Sequence, residues 1–186
     1  LLLWLLKKEA IVCGYSLEAE ENSLFKKIMK SDASLFSKFE NNINNINDFK
    51  SLNKKINEFQ PEIIFHLAAQ AIVLKSYEEP IQTWQTNVLG SINLLESLKT
   101  IKKNCAVIMI TTDKVYKNNE WIYGYREIDA LGGLDPYSAS KSALEIAINS
   151  WRYKYKNSNL NHIKIASVRS GNVIGGGDWA ENRIIP

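Results

Sequence analysis

Tyr137 and Lys141 are the residues whose types and spacing point most clearly to acid–base chemistry in this chain. They stand four positions apart, so on a helix they lie one turn apart on the same face. An ammonium beside a phenol lowers the pKa of the phenol, and a phenolate is a base for a hydroxyl group. Tyr and Lys are common in this sequence, and one such pair is expected by chance. The spacing alone therefore fits a surface tyrosine and a solvated lysine equally well.

The position of the pair favours the chemical interpretation. An apolar segment predicted to be a strand ends in Thr111, Thr112, Asp113 and Lys114, which carry hydroxyl, carboxylate and amine groups in succession. Open parallel sheets bind ligands beyond the carboxyl ends of their strands. A helix cap followed by a turn would explain the same residues without any chemistry.

The elements that must position these groups alternate along the chain. Apolar runs predict strands, and apolar residues at helical spacing predict helices. The predicted strands are 10–15, 62–67, 106–111 and 163–168, and 41–47 is a weak strand or a loop. The predicted helices are 1–8, 22–30, 48–59 with Asp48 as its cap, 78–101 with a soft break at Gly90, and 137–156. Strands joined by helices need crossover connections, so we expect an α/β fold with a parallel sheet and helices on both faces.

The composition sets limits on the class of protein. With 186 residues, 45% hydrophobic and 23% charged, the chain is long enough for one globular domain. The net charge of +3 is spread along the sequence, which argues against a nucleic-acid partner. The first six residues are apolar but too short to cross a bilayer. Cys13 and Cys105 lie in apolar runs, as expected in a reducing cytoplasm. With two histidines in the sequence, a histidine-built metal site is not expected.

Four segments carry a resemblance to a known family. They are PEIIFHLAAQA (61–71), ITTDKVY (110–116), GYREIDALGGLDPYSASKSALE (124–145) and VRSGNVIGGGDWAENRIIP (168–186). With these segments the chain resembles the extended short-chain dehydrogenase/reductases that act on nucleotide-activated sugars. It is most similar to their CDP-glucose 4,6-dehydratases, since the dTDP-glucose branch typically has a glutamate where this chain has Lys114.

The resemblance implies a Rossmann-like, doubly wound parallel sheet that binds NAD. The first strand and its Gly-rich phosphate turn are not in the sequence, and the C-terminal substrate domain is also lacking. We therefore interpret 1–186 as an incomplete NAD-binding domain, truncated at both ends, with 170–186 beginning the sugar-nucleotide region. Such a chain is expected to fold poorly and to bind NAD weakly or not at all.

The resemblance also implies a three-stage reaction. Tyr137, helped by Lys141 and Thr112, takes the sugar O4 proton while a hydride leaves C4. Asp113 then protonates the hydroxyl that leaves C6, with Lys114 as the base at C5 or as an electrostatic partner, and the hydride returns to C6. The product would be CDP-4-keto-6-deoxyglucose, a precursor of deoxysugars such as those of lipopolysaccharide O-antigens. An Asp113 that holds a proton near neutral pH would need burial to raise its pKa.

Cofactor and substrate contacts are carried over from the family by position. Those expected near the dinucleotide, beside Tyr137 and Lys141, are Asn45, Ile46, Ala68, Ala69, Gln70, Thr86 and Asn87. Asn172 and Arg183 are the expected contacts of the substrate phosphates. Asn44 and Asn45 replace the usual Gly-Asp before Ile46, and Glu18 is the best available acidic residue for the ribose. His66 is expected to be a packed histidine.

Three alternatives stay open at this stage. The chain would also fit a dTDP-glucose 4,6-dehydratase, a related sugar-nucleotide epimerase, or an inactive fragment. The epimerase shares the Tyr137–Lys141 pair but does not need Asp113 and Lys114 for elimination. The family further implies a homodimer formed through the long helices at 78–101 and 137–156, with a nucleotide sugar as the partner molecule and no membrane association.

Overall fold

The computed structural model describes residues 1–175, which fall into two compact units. The first is built on Leu1–Asn45. Its elements are α1 (Leu2–Lys7), β1 (Val12–Ser16), α2 (Leu24–Ser31), a 3-10 turn (Ala33–Phe36) and β2 (Phe39–Ile43), with β1 and β2 paired in parallel.

The strand β2 differs from the sequence expectation of a weak strand or loop at 41–47. It begins at Phe39, whose ring packs edge to face against Phe25 and Phe36 with centroid separations of 6.1 and 6.0 Å. This aromatic cluster fixes the start of the strand. The asparagine-rich run that follows carries no periodic signal, so the sequence left open whether it forms a strand or a loop.

The second unit spans Ile46–Val173. Its strands β3 (Ile63–His66), β4 (Cys105–Ile110) and β5 (Ile163–Val168) form one parallel sheet in the order β3-β4-β5. Its helices are α3 (Phe49–Phe59), α4 (Val73–Glu78), α5 (Pro80–Trp84), α6 (Ser91–Ser97) and α7 (Pro136–Lys156). The predicted α/β class with parallel strands is confirmed.

Two of the predicted helices begin at aspartate caps. Asp48 caps α3 by accepting a hydrogen bond from the Ser51 backbone N–H at 3.1 Å. Asp135 caps α7 by accepting from the Ser138 N–H at 2.9 Å. A carboxylate at this position satisfies a backbone donor that has no partner inside the helix.

The helical pattern predicted over 78–101, with a soft break at Gly90, is divided further in the structure. The structure instead has α5, a π-helical segment (Gln85–Gly90), α6 and a 3-10 turn (Leu98–Thr100), and it adds α4, which the pattern did not predict. Gly90 meets the chain ahead of α3, because a Cβ there would lie 2.6 Å from Ile46 Cγ2. Single π turns inside helices are frequent at functional sites.

Helices cover one face of the three-stranded sheet. On that face Val107, Met109 and Ile163 are buried, as are Leu144 and Ile148 of α7. Residues of the opposite face are exposed instead, among them Ile63 and Val168. Among residues 1–175 the expected covering of both faces is therefore seen on one face only.

A long connection leads from β4 to α7. After a 3-10 turn (Asp113–Val115), Lys117 N–H donates to the Ala130 carbonyl and Gly132 N–H donates to the Val115 carbonyl, both at 2.8 Å. These bonds close the segment 117–132 into a loop that returns to the end of β4. No helix in the described part of the chain is long and apolar enough to span a membrane.

Candidate active site

One face of α7 carries the predicted tyrosine and lysine. Both are buried, with Tyr137 9% and Lys141 5% exposed. The Lys141 Nζ donates to the carbonyl oxygen of Ile110, the last residue of β4, at 3.2 Å. The pair is therefore joined to the strand exit and is not a solvated surface pair.

Burial changes the acid–base behaviour of Lys141. Removal of the ammonium from water lowers the pKa of Lys141 to about 8, and the negative charge of Glu145 opposes this fall. A lysine in this state changes charge close to neutral pH. The site can therefore carry or release a proton where a surface lysine could not.

The exit of β4 presents Thr112, Asp113 and Lys114 together. The buried Thr112 hydroxyl donates to Asp113 Oδ1 at 3.1 Å and accepts from the Lys114 N–H at 3.3 Å. The side chains of Asp113 and Lys114 are exposed. The described residues therefore do not supply the burial on which a protonated Asp113 was expected to depend.

Asp113 and Lys114 line a cleft of about 580 Å³. The loop after β4 and the start of α7 also line the cleft, with Tyr116, Tyr125 and Ser138 among the lining residues. The rings of Tyr116 and Tyr125 stack with centroids 5.1 Å apart. The lining of this cleft therefore combines two ionic side chains with a stacked aromatic pair.

Glu145 is a site residue that the sequence reasoning did not identify. It lies one turn beyond Lys141, is 1% exposed, and pairs with Arg169, which follows β5. The signal was available as an acidic residue at the next four-residue step after Tyr137 and Lys141. Arg169 also donates to the Glu127 carbonyl at 3.0 Å and covers the Tyr116 ring at 4.9 Å, so it anchors the loop wall of the cleft.

Two predicted cofactor residues, Gln70 and Asn87, are joined by hydrogen bonds. Asn87 is fully buried; its Oδ1 accepts from the Gln70 N–H at 2.8 Å, and its Nδ2 donates to the Gln70 carbonyl at 3.1 Å. Asn87 Nδ2 also donates to Ser140 Oγ at 3.0 Å. The Gln70 Nε2 donates to Thr83 Oγ1 at 3.0 Å. Their side chains therefore tie the exit of β3 to the π-helical segment and to α7.

The other predicted contacts lie at several places in the chain. Ala68, Ala69, Thr86 and Ile46 are half-buried, whereas Asn45 and Asn172 are exposed. Asn45 belongs to the first unit, in which its carbonyl accepts from the Tyr15 hydroxyl at 3.4 Å. Arg183 lies outside the described residues.

His66, at the end of β3, is a buried histidine that packs inside the protein, as expected. Its Nε2 lies 2.7 Å from Ser91 Oγ, which itself donates to the Asn87 carbonyl at 2.8 Å. Because the serine proton is used in that second bond, we assign the Nε2–H tautomer, which donates to Ser91. Burial lowers the pKa of His66 to about 3, and the Lys141 charge adds to this effect. In residues 1–175 no cluster of three acidic, histidine or cysteine side chains could hold a metal ion.

Comparison with known proteins places this geometry in a family. The family model described as GDP-mannose 4,6 dehydratase matches residues 1–171. CDP-glucose 4,6-dehydratase of Salmonella typhimurium is 47% identical over 99% of this chain and 51% of its own length. CDP-paratose 2-epimerase of Salmonella typhi is 34% identical over 55% of this chain and 34% of its own length.

Solved structures show the same fold. The UDP-Glc/GlcNAc 4-epimerase from Campylobacter jejuni aligns with a TM-score of 0.74 at 20% identity, over 90% of this chain and 48% of that one. The dTDP-glucose 4,6-dehydratase from Bacillus anthracis, solved in complex with NAD, aligns with a TM-score of 0.71 at 22% identity, over 94% and 51%. The chain spans about half the length of the Salmonella dehydratase and about a third of the epimerase. From the family match along residues 1–171, this chain belongs to the GDP-mannose 4,6-dehydratase family.

Proposed function

We propose that this chain carries the catalytic residues of an NAD-dependent nucleotide-sugar 4,6-dehydratase that acts on CDP-glucose. The observation that carries the proposal is the bond from Lys141 Nζ to the Ile110 carbonyl, because it holds the Tyr137 helix against the strand exit with Asp113. The choice of CDP-glucose is supported by the 47% identity to the Salmonella enzyme of that name.

Several features of the described residues fit an NAD molecule. The buried Lys141 ammonium has three N–H donors, and in residues 1–175 one of them is used, by Ile110. Ala68 and Ala69 follow shortly after β3 and are half-buried, and their small side chains would permit the close approach of a ligand. NAD, when bound, supplies the acceptor and donor for the hydride that leaves C4 and returns at C6.

Each predicted cofactor residue has a proposed part in holding that ligand. Tyr137 and Lys141 would contact the nicotinamide ribose, and Ala68 and Ala69 would pass beneath the dinucleotide. Gln70, Thr86 and Asn87 would set the shape of this surface through their bonds within the protein. Asn45 and Ile46 would approach the adenine.

The first chemical stage is the oxidation at C4. Tyr137 takes the O4 proton as the C4 hydroxyl becomes a ketone, and the Lys141 ammonium stabilises the phenolate form of the base. Thr112 is proposed to position the sugar at the strand exit. In the resting structure its hydroxyl donates to Asp113, so substrate binding would exchange that bond for one to the sugar.

The second stage is elimination. The C4 ketone acidifies the hydrogen on C5, Lys114 removes it as a proton, and the C6 hydroxyl leaves as water with a proton from Asp113. A hydride then adds at C6 and a proton adds at C5, so that CDP-glucose becomes CDP-4-keto-6-deoxyglucose and water. Asp113 and Lys114 both line the cleft of about 580 Å³, and a bound sugar would supply the desolvation that these exposed groups lack.

The substrate phosphates are proposed to lie near Asn172 and Arg183. The Asn172 side chain is exposed beyond β5, close in sequence to Ser170, whose carbonyl accepts from the Asp113 N–H at 2.9 Å. A guanidinium such as that of Arg183 binds phosphate oxygens in a bidentate manner.

We further propose a cytoplasmic homodimer. Exposed apolar side chains on α5 and the π-helical segment form a patch with Ile81, Trp84 and Leu89, which are 73%, 41% and 55% exposed. A second copy of this patch is the proposed occupant. Sedimentation should show a dimer that Trp84→Glu converts to a monomer, whereas Ile122→Glu, in the exposed loop, should leave it intact. A Trp84→Glu variant that stays dimeric would contradict this interface.

The test of the function is mass spectrometry of CDP-glucose incubated with NAD and the protein expressed from its complete reading frame. The expected result is the loss of one water from the sugar nucleotide. Consumption of dTDP-glucose in place of CDP-glucose would move the substrate to the sister branch. A product of unchanged mass would identify an epimerase, and no turnover of either sugar would leave an inactive protein.

A further inference from the structure

Glu145 continues the catalytic face of α7. Tyr137, Lys141 and Glu145 follow one another at four-residue steps, so their side chains lie on one side of the helix. Glu145 is 1% exposed. A carboxylate in such a place is costly unless all of its oxygens are satisfied.

Four donor groups surround this carboxylate. Thr111 Oγ1 and Arg169 Nε donate to Oε1 at 2.6 and 3.1 Å, and Ser167 Oγ and Arg169 Nη2 donate to Oε2 at 3.0 and 3.1 Å. Burial raises the pKa of Glu145, but these bonds and the Arg169 charge outweigh it and hold the pKa below its usual value. The side chain is therefore an anion at neutral pH.

The donors belong to the elements that build the site. Thr111 immediately precedes Thr112 and Asp113, while Ser167 and Arg169 come from the end of β5 and the residues after it. One carboxylate on α7 thus binds the exits of both β4 and β5. A buried ion pair is weak evidence for stability, because the cost of removing the charges from water can exceed their attraction.

The charge environment of Lys141 singles out Glu145. The helix that carries Lys141 also provides Tyr137 and Glu145. The strand β3 provides His66, which is neutral above about pH 3. The end of β4 provides the Ile110 carbonyl, then the exposed Asp113 and Lys114, and beyond β5 lies Arg169, already paired. Glu145 is the group whose charge works against the loss of the Lys141 proton.

We propose that Glu145, held by Arg169, is a positioning residue that keeps the buried Lys141 in its ammonium form beside Tyr137 and fixes Thr111 ahead of the elimination residues. The catalytic benefit of this positioning rests on the proposed function. The electrostatic coupling between Glu145 and Lys141 does not depend on any substrate, and it is measured without one.

The experiment is a pH titration of the Lys141 side chain by ¹⁵N NMR, in the protein expressed from its complete reading frame, with the signal assigned by its loss in Lys141→Met. In Glu145→Gln the pKa of Lys141 should fall by about one unit. Glu96→Gln, which removes a surface carboxylate paired with Lys99 and Lys154, is the matched control and should leave it unchanged. An unaltered Lys141 pKa in a folded Glu145→Gln variant would overturn the proposal.

A second variant covers the case in which Glu145→Gln does not fold. Coupling between two titrating groups is reciprocal, so Lys141→Met should raise the pKa of the Glu145 carboxyl, followed by ¹³C NMR. A Glu145 titration identical in wild type and Lys141→Met would likewise overturn the coupling. If the titrations shift as expected but no sugar nucleotide is turned over, the proposed function fails while this inference stands.

Discussion

The buried ammonium of Lys141 donates a hydrogen bond to the carbonyl oxygen of Ile110, 3.2 Å away. This bond joins the helix that carries Tyr137 to the strand that ends in Thr111, Thr112 and Asp113. Two groups that lie more than twenty residues apart in the sequence thereby become one site. The proposed division into oxidation by the helix and elimination at the strand exit depends on this relationship.

Removal of the tyrosine hydroxyl should stop the oxidation. Tyr137→Phe is expected to reduce turnover of CDP-glucose by about 10²–10⁴-fold, because the phenol is the proposed base for the O4 proton. Tyr153→Phe is the control, since Tyr153 lies on the same helix but is 75% exposed. The rates are measured by product formation under saturating substrate. Equal rates for Tyr137→Phe and wild type would exclude the tyrosine as base.

Gly133 should not tolerate a side chain. A Cβ there would lie 2.2 Å from Ser138 Cβ and 2.4 Å from its carbonyl carbon, so it would strike the backbone of the first turn of α7. We expect Gly133→Ala to lower the free energy of unfolding by about 1–3 kcal/mol. A Cβ at Gly124 would meet no atom within 4 Å, so Gly124→Ala should change the free energy of unfolding by less than about 0.5 kcal/mol. Urea unfolding compares the two, and equal stabilities would refute the close packing.

His66 should make stability depend on pH. Its pKa falls from 6.5 to about 3 on folding, so between these values the unfolded chain binds a proton that the folded protein does not. Stability therefore decreases as the pH falls below 6.5, by at most about 1.4 kcal/mol per unit for this group. The His66→Gln variant, whose amide can still donate to Ser91, should lose less unfolding free energy over the same pH range. Urea unfolding on either side of pH 6.5 measures this, and parallel losses in both proteins would contradict it.

The two aspartate caps separate stability from activity. Asp135→Ala and Asp48→Ala each remove a carboxylate that accepts from a backbone N–H, at a cost of about 1 kcal/mol. Asp135 also lines the cleft and caps the helix that carries Tyr137, whereas Asp48 caps α3. We expect only Asp135→Ala to reduce the turnover number as well. Thermal unfolding and initial rates test this, and equal rates in the two variants would show that the cap has no catalytic effect.

Much of this site follows from local sequence signals. The caps at Asp48 and Asp135 and the apolar run of β4 are short-range features, so the starts of α3 and α7 and the position of the strand exit could be predicted. The Tyr137–Lys141 pair rose above chance through its position after the strand exit and through the family resemblance. The predicted roles of Asp113, Lys114 and the cofactor contacts stay predictions.

Other features depend on contacts that are distant in sequence. The π-helical segment arises where Asn87 bonds to Gln70 and Ser140 and where Gly90 meets Ile46, and no local pattern encodes such partners. The ion pair of Glu145 and Arg169 joins residues that are 24 positions apart. A buried carboxylate on a helix face can be predicted only when its partners on neighbouring strands are known.

Deuterium incorporation at C5 in D₂O, measured by mass spectrometry and NMR of the sugar nucleotide, tests the central claim most directly. With wild type, the product should lack one water and carry deuterium at C5. Asp113→Asn should return CDP-glucose with deuterium at C5 but no loss of water, Lys114→Met should give neither, and Tyr137→Phe should give neither because no ketone forms. Water loss by Asp113→Asn, or C5 exchange by Tyr137→Phe, would contradict the division of the reaction between the helix and the strand exit.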